Sequence, residues 1–269
     1  MNQAERRLYL IKYLLGEQIR LPQIEIPKTA QEQRELLRSL MNVRAPHPVS
    51  KEFLQIQDDY LKERNAERGI TDIKELKPQA ADDRLYLWQG DITTLKCDAI
   101  VNACNSQMLG CFEPLHNCID NFIHTYAGVE LRLEMDKIMK EQGHEEPTGQ
   151  AKITPGYNLP CRYVLHTVGP IVQGPLQKEH EELLASCYHS CLELAEKQGV
   201  ESIAYCCLST GIFMFPNERA AQIAVRTVKK YYEETQSRMK VIFNVFKDED
   251  FLIYSNIIPF SFSSETVPQ

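Results

Sequence analysis

The sequence predicts an α/β fold with a layered, largely parallel sheet, preceded by an α-helical N-terminal extension. From residue 84 onward, short β-rich runs alternate with long amphipathic helical patterns, which is typical of strand–helix units that build a parallel sheet. Before that point, apolar residues recur at helical spacing and strand signals are almost absent. The chain has 269 residues, enough for one large α/β domain, or for one medium domain with an extension, with a well-buried core.

The extension is predicted to contain three helices. Thr29 and Glu32 have the spacing of a capping box and begin the second helix, and the Pro-rich stretch 45–48 ends it. The apolar residues of the other two helices are Leu8, Ile11, Leu14 and Leu15 in the first, and Phe53, Leu54, Tyr60 and Leu61 in the third. Residues 77–80 have the composition of a linker. We therefore expect the extension to cover residues 1–80 and the second domain to cover 81–269.

The second part is predicted to contain five strands and three main helices. The strand sequences are RLYLW at 84–88, DAIVNA at 98–103, YVLHTV at 163–168, ESIAYCCL at 201–208 and KVIFNVF at 240–246. The helices are predicted near 119–141, 178–198 and 217–235. DAIVNA and ESIAYCCL are apolar nearly throughout, which indicates that both faces of the sheet are covered. The tail after Asn256 has few charges and is expected to be loosely held.

Composition narrows the classes of partner and location. The net charge of -7 gives no reason to expect nucleic acid or an anionic membrane as partner. No apolar run is long enough to span a bilayer, and the N-terminus carries charges throughout, unlike a signal peptide. We therefore expect a cytoplasmic protein. An odd number of cysteines, nine, favours reduced thiols with some metal ligands over a disulfide framework.

Three segments are expected at the carboxyl ends of strands, where α/β sheets bind ligands: GDIT at 90–93, NACNS at 102–106 and STGIFMFP at 209–216. Asp91 in the first segment could accept a hydrogen bond from an exocyclic amine, or simply cap a turn. In the third, Gly211 permits close backbone approach, and successive amides can bind a phosphate. The alternative for that segment is an ordinary strand–helix turn.

Cys111, His116 and Cys118 form a C-x4-H-x-C pattern within eight residues. Two thiolates and an imidazole suit zinc, and three protein ligands are typical of a catalytic zinc that keeps one position open. The alternative is a chance cluster in a cysteine-rich chain. His124, six residues past Cys118, is another possible ligand but is expected instead to pack on its helix, and His166, within a strand, is expected to be a core histidine. Asp120 could orient a water or hydroxyl, or could be an acidic residue favoured at a helix N-terminus.

In this order, the motifs GDIT, DAIVNACN, IDNFIH, STGIFMFP and NVFKDED resemble a macrodomain over about residues 84–257. The resemblance implies a three-layer sandwich with a mixed, largely parallel sheet. The segment 111–118, here called the Cys–His insert, and the helical extension resemble the zinc-dependent macrodomain branch of bacteria, which is often associated with an ADP-ribosylating sirtuin. Two departures stand out: Gly110-Cys111-Phe112 replaces a run of glycines, and Met214 replaces the usual glycine.

The resemblance implies a role for each site residue. Asp91 and Ile92 bind adenine, on which Phe246 stacks, and Asn105 reaches the distal ribose. The residues implied around the diphosphate are Ser209, Thr210, Gly211, Ile212, Phe213 and Met214. Asp120 and Asn105 are the implied catalytic residues. Cys111, His116 and Cys118 are implied to hold one zinc ion per chain beside the distal ribose.

The activity that follows from the resemblance is zinc-dependent removal of mono-ADP-ribose from modified proteins. Its partners are ADP-ribose and a mono-ADP-ribosylated protein, for which the sirtuin-linked relatives suggest a lipoyl-carrier protein. A non-catalytic ADP-ribose reader is the first alternative, since macrodomains share a fold across different functions. The metal pattern favours the enzyme, because a reader has no use for an open zinc position. An unrelated metallohydrolase with a structural zinc is the second alternative.

Overall fold

The computed structural model describes residues 1–17, 24–79 and 82–258. Within these residues, three helices precede a domain of strands and helices. The helices are α1 (Gln3–Gly16), α2 (Ala30–Val43), α3 (Lys51–Glu67), α4 (Ile119–Ala127), α5 (Val129–Gln142), α6 (Lys178–Lys197), α7 (Asn217–Thr235) and α8 (Asp248–Ile257). The strands are β1 (Thr71–Asp72), β2 (Leu85–Gln89), β3 (Leu95–Lys96), β4 (Ala99–Cys104), β5 (Ala151–Pro155), β6 (Tyr163–Val168), β7 (Ser202–Tyr205) and β8 (Lys240–Val245).

The main sheet has six strands in the order β2-β8-β7-β4-β6-β5. Its neighbouring strands are parallel, except that β5 runs antiparallel to β6 at one edge. The predicted mixed, largely parallel sheet is therefore confirmed, as is the helical extension ahead of it. Strands β1 and β3 form a separate parallel pair. The predicted domain boundary falls at residues 80 and 81, and most of the predicted loose tail lies after 258, both outside the described residues.

Several local predictions were wrong. The single helix predicted near 119–141 is two helices, because Gly128 between them has a left-handed φ of 101° that ends α4 and begins α5. Strand β5 and helix α8 were not predicted. The strand predicted at 201–208 is only four residues long, because the chain beyond Tyr205 turns into the loop after the sheet.

Helices cover both faces of the sheet and make it the middle of three layers. On one face, Val101, Tyr205 and Phe243 pack against the buried sides of α6, α7 and α8. On the other, Ile100 and Val164 pack against α4 and α5. Alternate residues of the same strands thus enter different cores, as their apolar sequences require. Among the described residues, no helix combines the length and apolar character needed to cross a membrane.

The extension has its own core and is docked on α4 and α5 by polar contacts. Leu10, Ile11 and Phe53 are among the residues that fill this core, and Val129 of α5 joins it. Arg132, buried in α5, donates from Nη1 to the backbone oxygens of residues 41, 42 and 44 at 2.6–3.0 Å. Because a buried arginine needs several acceptors, these bonds fix the end of α2 against the domain.

A candidate active site at the carboxyl edge of the sheet

Four segments carrying predicted site residues meet at one edge of the sheet. The sheet contains a run of four neighbouring strands, β2-β8-β7-β4, in which each pair of neighbours is parallel. The carboxyl ends of these four strands therefore lie at the same edge. Asp91, Asn105, Ser209 and Phe246 each follow the end of one of these strands. The edge is where ligands bind in parallel α/β sheets, and the topology brings these residues to it.

Asp91 caps a turn and is also held by the extension. It is the N-cap of a 3-10 turn, Ile92–Thr94, and its Oδ1 accepts hydrogen bonds from the Thr93 backbone N–H at 2.9 Å and from Thr93 Oγ1 at 2.6 Å. Its Oδ2 accepts a hydrogen bond from Arg68 Nη2. The capping alternative is therefore correct. These three hydrogen bonds leave one lone pair of Oδ2 for a ligand, since a carboxylate accepts about four hydrogen bonds.

The two other residues predicted at the adenine end differ in exposure. The side chain of Ile92 is only 2% exposed and belongs to the core beneath the site, so its backbone is the part that can reach a ligand. Phe246 is 76% exposed directly after β8. An exposed aromatic ring of this kind is a ready stacking surface for a planar base.

The segment 209–216 is a tight loop between β7 and α7. The Phe215 backbone N–H donates to Ser209 O at 3.0 Å and the Met214 N–H to Gly211 O at 3.0 Å. Ser209 and Met214 both have left-handed backbones, with φ of 63° and 54°. A Cβ at Gly211 meets no protein atom, so this side of the loop faces open space. Successive amides near a helix start suit an anion such as a diphosphate.

Asn105 is exposed and fixes its own turn. Its Oδ1 accepts from the backbone N–H groups of Gln107 and Met108 at 3.0 and 3.2 Å. That geometry leaves the Nδ2 donor of Asn105 free of a partner in the described part of the chain. An amide donor at this place suits a ribose hydroxyl.

The structure brings Cys111, His116 and Cys118 together. One ligand atom from each lies within 4.8 Å of the others, and all three residues are partly buried. Cys111 Sγ is 3.5 Å from His116 Nδ1. Cys118 is also the N-cap of α4, where its Sγ accepts from the Asn121 N–H at 3.4 Å. Burial raises the pKa of the Cys118 thiol, and a bound cation would oppose that shift because it stabilises the thiolate.

The spacing of these donors fits a tetrahedral zinc ion. At a tetrahedral angle, Zn–S bonds of about 2.3 Å and Zn–N bonds of about 2.0 Å place a thiolate and an imidazole nitrogen about 3.5 Å apart. The observed Cys111–His116 separation of 3.5 Å agrees with that value. No fourth His, Cys, Asp or Glu joins the cluster among the described residues. The donor set therefore matches a metal site with a position left for a ligand.

Asp120 is buried beside the cluster, in the first turn of α4. It is 4% exposed, and its Oδ1 accepts from Asn102 Nδ2 at 2.8 Å and lies 3.5 Å from His124 Nε2. Burial raises its pKa to about 6, against the opposing effects of Asn102 and Arg132. Its Oδ2 makes no hydrogen bond within the described part of the chain. The acidic first-turn alternative is correct as a position, but the side chain points into a polar network.

His166 is a buried core histidine, as predicted, and both it and His124 lie in this network. His166 Nδ1 is 3.2 Å from Asn102 Nδ2, and its Nε2 is 2.9 Å from Thr154 Oγ1. An amide N–H can only donate, so Nδ1 accepts and Nε2 carries the proton. Burial lowers the pKa of His166 to about 3 and that of His124 well below its ordinary value. Both therefore stay neutral at physiological pH.

Sequence reasoning missed the residues that the extension contributes. Arg38 of α2 donates from Nη2 to the backbone oxygen of His116 at 2.7 Å and to Asn121 Oδ1 at 2.8 Å. Asn42 Oδ1 accepts from the Leu115 N–H at 3.1 Å. These contacts fix the Cys–His insert from outside the domain. Nothing in the sequence separates Arg38 and Asn42 from the many polar residues on solvent-facing helices.

Comparisons with known proteins identify the family of this chain and several of its relatives. The Macro domain family matches residues 101–224. A Treponema medium protein named Protein-ADP-ribose hydrolase is 56% identical over 260 residues, covering 96% of this chain and 100% of that protein. A protein of the same name from Staphylococcus aureus strain MRSA252 is 51% identical over 247 residues, covering 91% and 92%.

Solved structures agree on the fold. A Trypanosoma brucei macrodomain in complex with ADP-ribose has a TM-score of 0.63 and 29% identity, covering 86% of this chain and 97% of that one. An Oceanobacillus iheyensis macrodomain with ADP has a TM-score of 0.58 and 35% identity, covering 64% and 88%.

Proposed function

The chain belongs to the macrodomain family, and from that membership we propose that it is a zinc-dependent hydrolase that removes mono-ADP-ribose from modified proteins. The hydrolase activity is supported by relatives with that name that match nearly the whole chain, extension included. The zinc dependence is carried by one observation, the Cys111–His116–Cys118 cluster with its zinc-like spacing. A lipoyl-carrier protein is the modified substrate to test first, since the resemblance suggests it.

In this proposal the adenosine half of the ligand is bound away from the metal. Asp91 accepts from the adenine amine, Phe246 stacks on the base, and the amides of the loop 209–216 bind the diphosphate. These contacts supply remote binding energy that positions the distal ribose. The ribose then lies near Asn105, whose Nδ2 donates to one of its hydroxyls.

Chemistry is assigned to the cluster and its neighbour. Zinc, when bound, supplies Lewis-acid polarisation of an oxygen on or near the distal ribose. Cys111, His116 and Cys118 hold it with one position open. Asp120 orients or deprotonates the attacking oxygen, and with a pKa of about 6 it is ionised at neutral pH. Asn102 keeps that carboxylate oriented.

Release of ADP-ribose from a modified protein, with and without a chelator, tests the proposal. We expect release by the untreated protein, loss of release after chelation, and recovery when zinc is added back. Release that a chelator does not affect would contradict zinc dependence. A protein that binds ADP-ribose and never releases it from any modified protein would instead be the reader.

A further inference from the structure

Arg68 of the extension forms a closed hydrogen-bonded group with the adenine end of the site. It directly follows α3, and its Nη2 donates both to Asp91 Oδ2 and to Thr93 Oγ1, the latter at 2.7 Å. Thr93 Oγ1 in turn donates to Asp91 Oδ1 at 2.6 Å. Arg68 therefore contacts the very oxygen of Asp91 that has a lone pair left for a ligand.

Arg68 is itself held from two further sides. Its Nη1 donates to Asn65 Oδ1 at 3.1 Å, and its guanidinium lies over the Tyr126 ring of α4, 3.4 Å from the centroid. The side chain is only 11% exposed. Stacking and a planar fork of donors give arginine a fixed orientation that lysine cannot reproduce.

The carboxylate of Asp91 needs a second partner, besides Thr93, to hold its plane in one orientation. The terminal torsion of an aspartate is broad and roughly two-fold, and Thr93 holds only Oδ1. Without Arg68, Oδ2 would be free to leave the plane in which its remaining lone pair faces the ligand. With Arg68, three of the four lone-pair positions are occupied, and one direction remains.

We propose that Arg68 is a positioning residue for adenine recognition, holding Asp91 so that its last lone pair accepts the exocyclic amine. The inference rests on the proposed function, because it assumes that Asp91 meets adenine. The extension is then part of the nucleotide site and sets its preference for an amine over a carbonyl at that ring position.

The alternative is that Arg68 only docks the extension on α4. The two roles differ in what they do to base preference. A docking role affects every nucleotide alike, because it loosens the whole site. A positioning role acts through the amine, so ADP loses affinity while IDP, which has a carbonyl oxygen there, is affected little.

The experiment measures the dissociation constants of ADP and IDP by calorimetry on the full chain. The variants are Arg68→Gln, Arg68→Lys and, as matched control, Arg64→Gln, which removes the same charge from a partly exposed position of α3 outside the Asp91 contact. We expect the parent to prefer ADP and Arg68→Gln to bind ADP about tenfold more weakly, the effect of one charged hydrogen bond. Binding of IDP should change less than twofold, Arg68→Lys should be intermediate, and Arg64→Gln should match the parent.

The possible results distinguish a failure of the positioning role of Arg68 from a failure of the proposed function. An equal loss for ADP and IDP in Arg68→Gln, or no loss for either, overturns the positioning role while leaving the proposed function intact. A parent that binds neither ADP nor ADP-ribose overturns the proposed function, and the inference with it. If melting curves show that Arg68→Gln does not fold, Arg68→Lys decides, and an ADP-to-IDP preference equal to that of the parent contradicts the inference.

Discussion

Cys118 is both a member of the Cys–His–Cys cluster and the N-cap of α4. Its Sγ belongs to the Cys–His–Cys cluster, and it accepts from the Asn121 N–H as the N-cap of α4. A thiolate at a helix N-terminus is stabilised by the helix dipole. One member of the Cys–His–Cys cluster thus lies at the rigid start of a helix, while Cys111 and His116 lie in the irregular insert.

Replacement of Cys118 by alanine should remove most of the metal. We expect near-stoichiometric zinc in the parent and less than about a tenth of it in Cys118→Ala, because two ligands hold zinc far more weakly than three. Metal analysis of the purified proteins measures this. The matched control, Cys97→Ala, removes a buried thiol outside the cluster and should keep the parent's zinc. Full zinc in Cys118→Ala would exclude that residue from the site.

Met214 shows what a sequence can indicate about a single residue and what it cannot. Its identity is a visible departure, because the macrodomains that this chain resembles usually have glycine there. The structure gives the physical reason why glycine suits this position. Met214 has a φ of 54°, a backbone conformation that glycine adopts without the steric cost that other residues incur. Its side chain is exposed on the loop 209–216.

At the scale of elements, the loop 209–216 depends on the end of β6. Gly169 follows that strand, and a Cβ built on it would lie 2.0 Å from Ser209 Oγ and 3.3 Å from Ser209 Cβ. Ser209 is buried and begins the loop with a left-handed backbone. The position of the predicted diphosphate loop is therefore set by the absence of a side chain on a neighbouring segment.

Gly169→Ala should weaken ADP-ribose binding by about 1–3 kcal/mol, the range for overpacking a filled site. The added methyl group displaces Ser209 and with it the loop amides. Ser209→Ala in the same protein removes the closest clash and should restore much of the affinity. Calorimetry with ADP-ribose on the single and double variants measures both effects. An affinity unchanged in Gly169→Ala would show that the loop does not bind the diphosphate in this conformation.

The break between α4 and α5 shows why local patterns failed at some elements. A continuous helical pattern runs through Gly128, and only the extension reveals why it ends there. Gln57 Oε1 accepts from the Val129 N–H at 2.9 Å, and a Cβ on Gly128 would lie 2.6 Å from Gln57 Nε2. The partner is 72 residues away, so no window of the sequence contains both. Strongly periodic elements such as α6 and α7 needed no such partner and were predicted to within about two residues.

At the scale of the whole molecule, the extension is integrated with the site at both ends. Arg38 contacts the backbone of His116, and Arg68 contacts Asp91. The sequence predicted the sheet from strand–helix alternation, its covered faces from apolar strands and the cluster from the C-x4-H-x-C spacing, because each is a local pattern. It could not predict these two arginines, because their importance depends on which surface of the domain the extension packs against.

The buried histidines make the stability of the whole fold depend on pH. Burial lowers the pKa of His166 to about 3 and that of His124 well below its ordinary value. The unfolded chain therefore binds more protons than the folded one below pH 6.5, and stability falls as pH falls. Asp120 acts in the opposite direction below about pH 6, since burial raises its pKa to about 6. Because two histidines destabilise the fold and one carboxyl stabilises it, the free energy of unfolding falls as the pH is lowered.

Urea unfolding of the chelated protein should show this loss. From about pH 7.5 to about pH 5.5, we expect the free energy of unfolding to fall by about 2 kcal/mol, because each histidine contributes a loss of about 1.4 kcal/mol over the whole interval and Asp120 offsets about 0.8 kcal/mol of it. The chelator keeps metal release out of the comparison. A free energy that stays constant or rises over this interval would show that the histidines are not buried in their neutral form.

The proposed zinc-dependent chemistry is tested most directly by His116→Ala. This variant loses an imidazole ligand but keeps the backbone oxygen that accepts from Arg38, so the insert retains that anchor. The measurement is the rate of ADP-ribose release from a modified protein, with ADP affinity and a melting curve recorded on the same sample and His189→Ala, at a partly exposed position of α6, as control. We predict that His116→Ala releases ADP-ribose at least about a hundredfold more slowly, the scale of a lost Lewis acid, while binding ADP within about threefold of the parent. A folded, zinc-free His116→Ala that releases ADP-ribose at the parent's rate would contradict the account.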